Sequence, residues 1–531
     1  MQKRQLVKNI VVLGGGTAGW MAAGYLSSQF PGIKIKLIES GKQKIIGVGE
    51  TSVPQFKNFM EKMGLEENTW LRETGGSFKY GVQFDGWRTG EESDRRCHGF
   101  HDYLTEKVFS RSPGELNKQS AVKERDSALD VDYWIELLKR GLVNRSEKNK
   151  IGSETFHLVS NSLAHADLNG HQYMSRCPGY SYNINAYKVG ATIRDKVAIP
   201  NNVEHVIQHI TDVKKNTDGS IANVIDEAGN THTADLFIDC TGFRRLLIGD
   251  YAEWQSYSNR LGSNRAFAGR VAYNNDQHTW CNPYLHATAL SNGWFWRVPL
   301  YDDMGTGYVF DDRYIDPDQA EKEIVDWYAA RGKQFDVKHK ITFDAGVLDR
   351  CASHNVISVG LSSNFLEPLE ATSISFAALT IELTADILKK YNNHWSYNDA
   401  KSVSKLVRRE IDYTADYVWA HYALTQRTDT EFWRDHGKAR EQAKETAYKW
   451  FMLDEDIYRR EKDFQHTRYN KYDWALMITS HEIWDDCPTR PIKPQLLSRA
   501  KMWYDFRHEY SKTLSDLVPS HWELLQHINK D

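Results

Sequence analysis

The chain has 531 residues, with 67 Lys+Arg against 71 Asp+Glu and a formal net charge of −4. That length corresponds to roughly three or four ordinary domain units, or to one large two-part enzyme. A mildly acidic balance with no basic run excludes an electrostatic nucleic-acid binder. The 6 cysteines (Cys97, Cys177, Cys240, Cys281, Cys351 and Cys487) include no Cys-x-x-Cys pair. This argues against a zinc site or a redox dithiol and fits a reduced, cytoplasmic chain. No stretch reaches about 18 uninterrupted apolar residues, so no membrane span is expected. The start Met1-Gln2-Lys3-Arg4 and the apolar run from Ile10 faintly mimic a secretory signal, but the run is short and breaks into a glycine turn.

In chain order, Asn9 to Leu13 reads as a buried first strand, Ala18 to Phe30 as the helix after it, and Lys34 to Glu39 as a second strand ending in an acid. Between the first strand and the helix, Gly14, Gly16 and Gly19 stand in a Gly-x-Gly-x-x-Gly turn with Thr17 and Ala18 opening the helix. Such a turn must be tight, must admit a pyrophosphate close to the backbone, and must let helix and strand pack closely. Phosphate charge then meets the helix N-terminus. Glu39 lies about twenty residues beyond the turn, where an acid hydrogen-bonds a ribose hydroxyl. The pattern calls for a dinucleotide without separating FAD from NAD.

From Asp85 to Ser175 the chain is irregular, charged and rich in Ser and Gly, which reads as insertion loops. Tyr187 to Val197 is a predicted helix, Val203 to Glu227 a strand, turn and strand, and Ala234 to Cys240 another buried strand. Asn292 to Leu300 is a predicted strand, Asp318 to Arg331 a helix, Asn355 to Gly360 a short strand and Ser375 to Tyr391 a helix. From Asn398 onward the pattern is mostly helical. The division expected from this pass is an α/β nucleotide-binding module over 1–393 and a helical module over 394–531 that closes a pocket. There are no internal repeats or low-complexity tracts.

Five further segments carry the chemistry. Gly47-Val48-Gly49-Glu50-Thr51-Ser52-Val53-Pro54 and Asp235-Leu236-Phe237-Ile238-Asp239-Cys240-Thr241-Gly242 place small residues beside strands, where backbone can approach a flat cofactor. Gly75-Gly76-Ser77-Phe78-Lys79-Tyr80-Gly81 sets a lysine among aromatics and glycines, although a lone lysine is ordinarily a solvated charge. In Trp294-Phe295-Trp296-Arg297-Val298-Pro299 the two tryptophans, two apart on a strand, share a face; core packing is their ordinary role. Glu367-Pro368-Leu369-Glu370-Ala371-Thr372-Ser373 supplies two acids and a Thr-Ser pair.

In this order after a glycine turn, these segments resemble the flavin-dependent halogenases of the tryptophan-halogenase type, best over 1–90, 180–250 and 290–375. The resemblance implies a flavin monooxygenase-like FAD-binding fold with a mostly helical second module. It implies FAD, used as FADH2 from a separate NAD(P)H-dependent reductase, with O2 and halide as co-substrates and a small electron-rich aromatic, of indole or phenol type, as the acceptor. Gly49 and Asp239 would attend the flavin. Trp294, Trp296 and Pro299 would wall the flavin from the aromatic, with Val298 replacing the family's Ile. Lys79 would hold or react with hypohalous acid, and Glu370, favoured over Glu367, would orient the electrophile and take up the ring proton.

Thr372 and Ser373 would cradle halide. The family usually has Gly at the Ser373 position and Ser at the Ala371 position. If that Gly has positive φ, Ser373 is strained there, which points to a bromide or iodide preference. His101 and Tyr103 fall where relatives contact the aromatic, although a loop packing cluster is their ordinary reading. The chain is also a candidate homo-oligomer. A flavin-dependent aromatic hydroxylase and a flavin-binding protein without halogenation are the alternatives.

Overall fold

The computed structural model describes residues 4–41, 49–91, 93–100, 131–146, 180–453, 469, 471–502, 505 and 520–530. Two compact units interleave along the chain: one is built from Met1–Gly76, Asn183–Arg270 and Val337–Ala415, the other from Ser77–Tyr182, Val271–Asp336 and Asp416–Asp531.

In the first unit a six-stranded sheet has the order Ala352–Ser353, Val356–Ser358, Leu236–Asp239, Asn9–Leu13, Lys34–Glu39, Glu204–Ile207. All its pairings are parallel except the Ala352–Ser353 edge. Strands covered on both faces read as continuous apolar runs, and Ile10, Val11, Val12 and Leu13 are all buried, as are Leu236, Phe237 and Ile238. Val11 lies opposite Phe237 on one side and Lys36 on the other. One core cluster joins Val11, Leu13, Ile38 and Phe237 to Ile210, Ile221 and Val224 of an antiparallel meander, Ile210–Lys215, Ile221–Asp226 and Thr231–Thr233. The helix Thr17–Gln29 is buried continuously from Gly19 to Ser27, as a helix enclosed all round must be. It packs against the helices Ala186–Ile193 and Ser373–Lys390.

Asp239 ends the central strand with its side chain fully buried. Its carboxylate accepts from the Thr241 N–H and hydroxyl at 2.9 and 2.7 Å, from the Leu247 and Ile248 N–H groups at 2.8 and 3.0 Å, and from the Ser362 hydroxyl at 3.3 Å. These bonds fold the chain sharply after the strand and hold the Thr241–Gly242 corner.

In the second unit the strands Asp303–Phe310, Gly293–Pro299, Leu285–Ala289, Gly81–Asp85 and Arg95–Gly99 lie side by side in that order. Only Leu285–Ala289 and Gly81–Asp85 run parallel. The register puts Trp296, Ala287, Phe84 and Arg96 in one row. One face therefore carries Trp294, Trp296, Phe84, Arg96 and His98, and the opposite face carries Phe295, Arg297, His286, Thr288, Gln83 and Asp85. On the first face Trp87 packs against Trp294, Tyr422 and Trp433. Its indole N–H donates to Ala287 O at 2.9 Å.

Three expectations change. The 85–175 stretch is not all loop: Arg95–Gly99 is a strand and Val131–Lys139 a helix. The Arg-Arg-Cys-His-Gly strand lacks an apolar alternation, because its Arg96 and His98 face aromatic rings instead. The chain does not divide at residue 393, since His394–Trp395 pairs with Gln5–Leu6 and the helix Tyr397–Ala423 begins in the first unit. Strands such as Arg265–Ala272 and Asp303–Phe310 stand where none was anticipated. Among the described residues, no helix is long and apolar enough to cross a membrane.

Removing the Asp239 carboxylate strands several buried donors at once. Asp239→Ala is expected to lower unfolding free energy by about 3 kcal/mol, read as a shift of the urea midpoint, and an unchanged midpoint would contradict this account of the corner.

Candidate active site

The glycine turn lies in the first unit, and each of its three glycines has its own reason. Gly14 has φ +107°, and a Cβ there would stand 2.3 Å from Cys240 O. At Gly19 a Cβ would stand 1.8 Å from Gly14 O, so helix and turn meet only without a side chain. Gly16 precedes the helix, and nothing lies within 4 Å of where its Cβ would be. Open space at a bare helix N-terminus, over a close-packed turn, fits a pyrophosphate.

Glu39 lies against this turn. A Cβ on Gly15 would come 1.9 Å from its Oε2, and its Oε1 pairs with His205 Nε2 at 2.7 Å. His205 in turn meets Trp20 edge-on at 4.9 Å. Of the helix-opening pair, the Thr17 hydroxyl donates to Ala186 O at 3.0 Å, and Ala18 faces Gly360, whose added Cβ would be 2.9 Å away. Gly49 is buried with φ +81°, and burial pushes the neighbouring Glu50 carboxyl up to about 7. Gly47 and Val48 lie outside the described residues. Asp239 is occupied by its own chain and acts on the corner rather than pointing to a ligand.

The acidic segment is also in the first unit. Glu370 closes the turn Pro368–Glu370 and is 5% exposed. Glu367 is equally buried, so burial does not choose between them. The left-handed residue is Ala371, at φ +58°. Thr372 caps the helix Ser373–Lys390 at φ −92°, and Ser373 is its first residue, outside the positive-φ set. The strain expected at Ser373 therefore sits two residues earlier, because the helix starts at Ser373 and the reversal that delivers it falls on Ala371. The first-turn N–H groups of that helix have no intrahelical acceptor.

Lys79 and the tryptophan pair are in the second unit. Lys79 ends the strand Ser77–Lys79 and is fully buried. Its short strand is tied on every side. The Ser77 hydroxyl donates to Pro299 O at 2.6 Å, the Phe78 N–H donates to His521 Nε2 at 3.2 Å, and the Tyr80 N–H donates to Pro283 O at 2.7 Å. The Lys79 ammonium lies 5.1 Å from the Phe100 ring centroid. Trp294 and Trp296 are buried with ring centroids 6.2 Å apart. The Lys79 and tryptophan segments are thus brought together through Ser77 and Pro299. His101 and Tyr103 lie outside the described residues.

Two participants escaped the sequence reading. His521 accepts from Phe78 while its Nδ1–H donates to Cys281 O at 2.8 Å. Both ring nitrogens are used in the neutral form, and burial lowers its pKa to about 4. His98, on the face shared with the tryptophans, pairs with Asp473 at 3.0 Å beside the stacked rings of Tyr417 and Tyr469. No spacing rule links residues so far apart in the chain.

A histidine held neutral in the fold binds its proton less readily than in the unfolded chain. Its stability contribution is complete above the unfolded pKa of 6.5 and is lost as pH falls toward 4. The loss is on the order of 3 kcal/mol. His521→Gln is expected to remove one proton's share of the stability slope between those pH values, measured by urea unfolding across pH; an unchanged slope would contradict the assignment.

Comparison with known proteins identifies the family. The sequence model of the family described as Tryptophan halogenase matches residues 9–492. The tryptophan 7-halogenase RebH of Lentzea aerocolonigenes is 30% identical over 444 residues, covering 82% of this chain and 79% of that protein. The tryptophan 6-halogenase ThaL of Streptomyces albogriseolus is 28% identical, covering 98% and 99%. In fold, the chain is similar to the crystal structure of a tryptophan halogenase from Shewanella frigidimarina, with a TM-score of 0.81 at 23% identity, over 99% of this chain and 98% of that one. With its matched length, its glycine turn and its tryptophan strand, the chain belongs to the tryptophan halogenase family and is a flavin-dependent halogenase.

Proposed function

We propose that the chain uses FADH2, O2 and halide to make hypohalous acid, and that it halogenates a small electron-rich aromatic of the indole or phenol type. The observation that carries this reading is the fully buried Lys79, fixed through Ser77 to Pro299 at the end of the tryptophan strand. A lysine taken wholly out of water is costly to bury, and its place on the strand tied to Pro299 supports a chemical role for it. The names of the relatives, tryptophan 7-halogenase and tryptophan 6-halogenase, support an indole.

When bound, the flavin supplies the reduction of O2 and the oxidation of halide. In balance, FADH2, O2, halide and a proton give FAD, hypohalous acid and water; the acid and the aromatic then give haloarene and water. The chain's part is binding, separation and orientation. Gly14, Gly16, Thr17, Ala18 and Gly19 hold the pyrophosphate at the helix N-terminus. Glu39, with His205 behind it, takes the ribose, Gly49 lets backbone lie along the ring system, and Asp239 positions the corner beside it. Thr372 and Ser373 present backbone N–H groups to halide.

Trp294, Trp296 and Pro299 keep the aromatic away from the oxidant. Lys79 holds hypohalous acid by a directed hydrogen bond or takes the halogen on its amine, and Glu370 receives the ring proton. His101 and Tyr103 are assigned to the aromatic itself. A separate NAD(P)H-dependent reductase supplies FADH2.

Lys79→Ala is expected to cut organic halogenation by at least about 10²-fold while O2-dependent oxidation of FADH2 continues. Halogenation retained in that variant overturns the role. With Ser373 free of left-handed strain, the departures of Ala371 and Ser373 from the family's Ser and Gly are the ground on which a preference for bromide or iodide is proposed. With equimolar halides in competition, brominated or iodinated product should exceed chlorinated, and chlorinated product alone contradicts the preference.

A further inference from the structure

The sheet face opposite the tryptophans holds a cavity of about 290 Å³ that the halogenation reading leaves unused. That volume is close to the lower end of small-molecule sites. Its floor is polar and closed. Gln83, Asp85, His286 and Thr288 line it and are each no more than 5% exposed. Its rim is aromatic and cationic, with Trp280, Tyr284, Trp327, Arg95, Arg297 and Arg331.

Three buried polar atoms on these walls have no protein partner: Gln83 Oε1, Thr288 Oγ1 and Arg297 Nε. The Gln83 amide is fixed in orientation, because its nitrogen donates to both Asp85 oxygens at 2.8 and 2.9 Å, which leaves the amide oxygen unused. Buried polar atoms are ordinarily hydrogen-bonded, and these three leave positions on one cavity wall for the polar groups of an occupant.

The charge says which kind. Three guanidiniums line the cavity against the single carboxylate of Asp85. His286 adds no charge, since burial and then Arg297 lower its pKa to about 3. Asp85 is already engaged by Arg95 at 2.9 Å and by Gln83. Arg297 donates to His286 Nδ1 at 2.9 Å and stands 5.2 Å from the Trp327 ring centroid and 5.4 Å from that of Trp280. Arg331 stacks on Trp327 at 3.8 Å. The cavity thus combines excess positive charge, flat aromatic walls, one orphan acceptor and two orphan donor positions.

We propose that this cavity is a second ligand site, for a small aromatic carboxylate bearing an N–H or O–H. The carboxylate accepts from Arg297 and the Thr288 hydroxyl, a charge-assisted pairing of the kind guanidinium favours. The ring lies against Trp280, which Trp327 meets edge-on at 90°, and the ring N–H or O–H donates to Gln83 Oε1. This site lies behind the sheet that presents Trp294 and Trp296, so it is distinct from the halogenation chemistry and does not depend on it.

The test is isothermal titration of the intact protein with indole-3-acetate, and with 3-methylindole as the uncharged comparator. Saturable binding of the acid is expected, at least about tenfold tighter than the comparator. Thr288→Val and Arg331→Ala, each checked for an unchanged melting transition, should weaken it by about tenfold, and Lys79→Ala should leave it unchanged. Absence of saturable binding, equal binding of 3-methylindole, or binding lost in Lys79→Ala but kept in Thr288→Val and Arg331→Ala would each overturn the proposal. Because Lys79→Ala tests halogenation separately, failure of either reading is seen independently of the other.

Discussion

Burying a lysine removes an ammonium group from water, and that cost must be met by the fold around it. The main chain around Lys79 is also held rigid. A hydroxyl, a backbone N–H on each side, and a neutral histidine hold the three-residue strand in place. These bonds act on the main chain that carries the ammonium. They fix the backbone from which it projects, so that its position is set before any substrate arrives. Preorganisation of this kind is what makes a donor effective where charge develops in a reaction. In the proposed reaction, the direct bond between the Lys79 strand and the tryptophan strand would keep donor and wall at one distance from each other.

The first unit solves a different problem with the same economy. Its turn must let a charged group approach backbone, so every atom that could obstruct is absent or tied elsewhere. Gly14 and Gly19 allow close contact, Gly16 leaves space, and Glu39 is steadied by His205. Asp239 contributes by consuming donors that would otherwise compete, and it shapes the corner that follows the central strand. At the acidic segment the constraint is a reversal of direction before a long helix. It falls on Ala371, which accepts a left-handed conformation, so Thr372 and Ser373 can open the helix with ordinary backbone angles.

Much of this was legible where the physics is local. The strands Asn9–Leu13 and Lys34–Glu39 lie where their apolar runs placed them, since a parallel strand covered on both faces leaves little choice. The helix start at the glycine turn was legible for the same reason. Partners distant in sequence were not. His205 lies 166 residues from Glu39, and His521 lies 443 from Phe78; neither has a spacing rule to reveal it. Strands built from Gly, Ala and Arg, such as Arg265–Ala272, escaped because sheet pairing rather than residue preference makes them strands. The second unit escaped as a unit because its three stretches are interleaved with those of the first.

The account stands most directly on one experiment with the unaltered protein. It would be incubated with FAD, a generic flavin reductase, NADH, oxygen and a panel of indoles and phenols, with chloride, bromide and iodide supplied separately, and the products read by mass spectrometry. Halogenation predicts a mass gain that changes with the halide supplied and vanishes without it. A mass gain of oxygen alone, independent of halide, would contradict the account and make the chain an aromatic hydroxylase on the same fold.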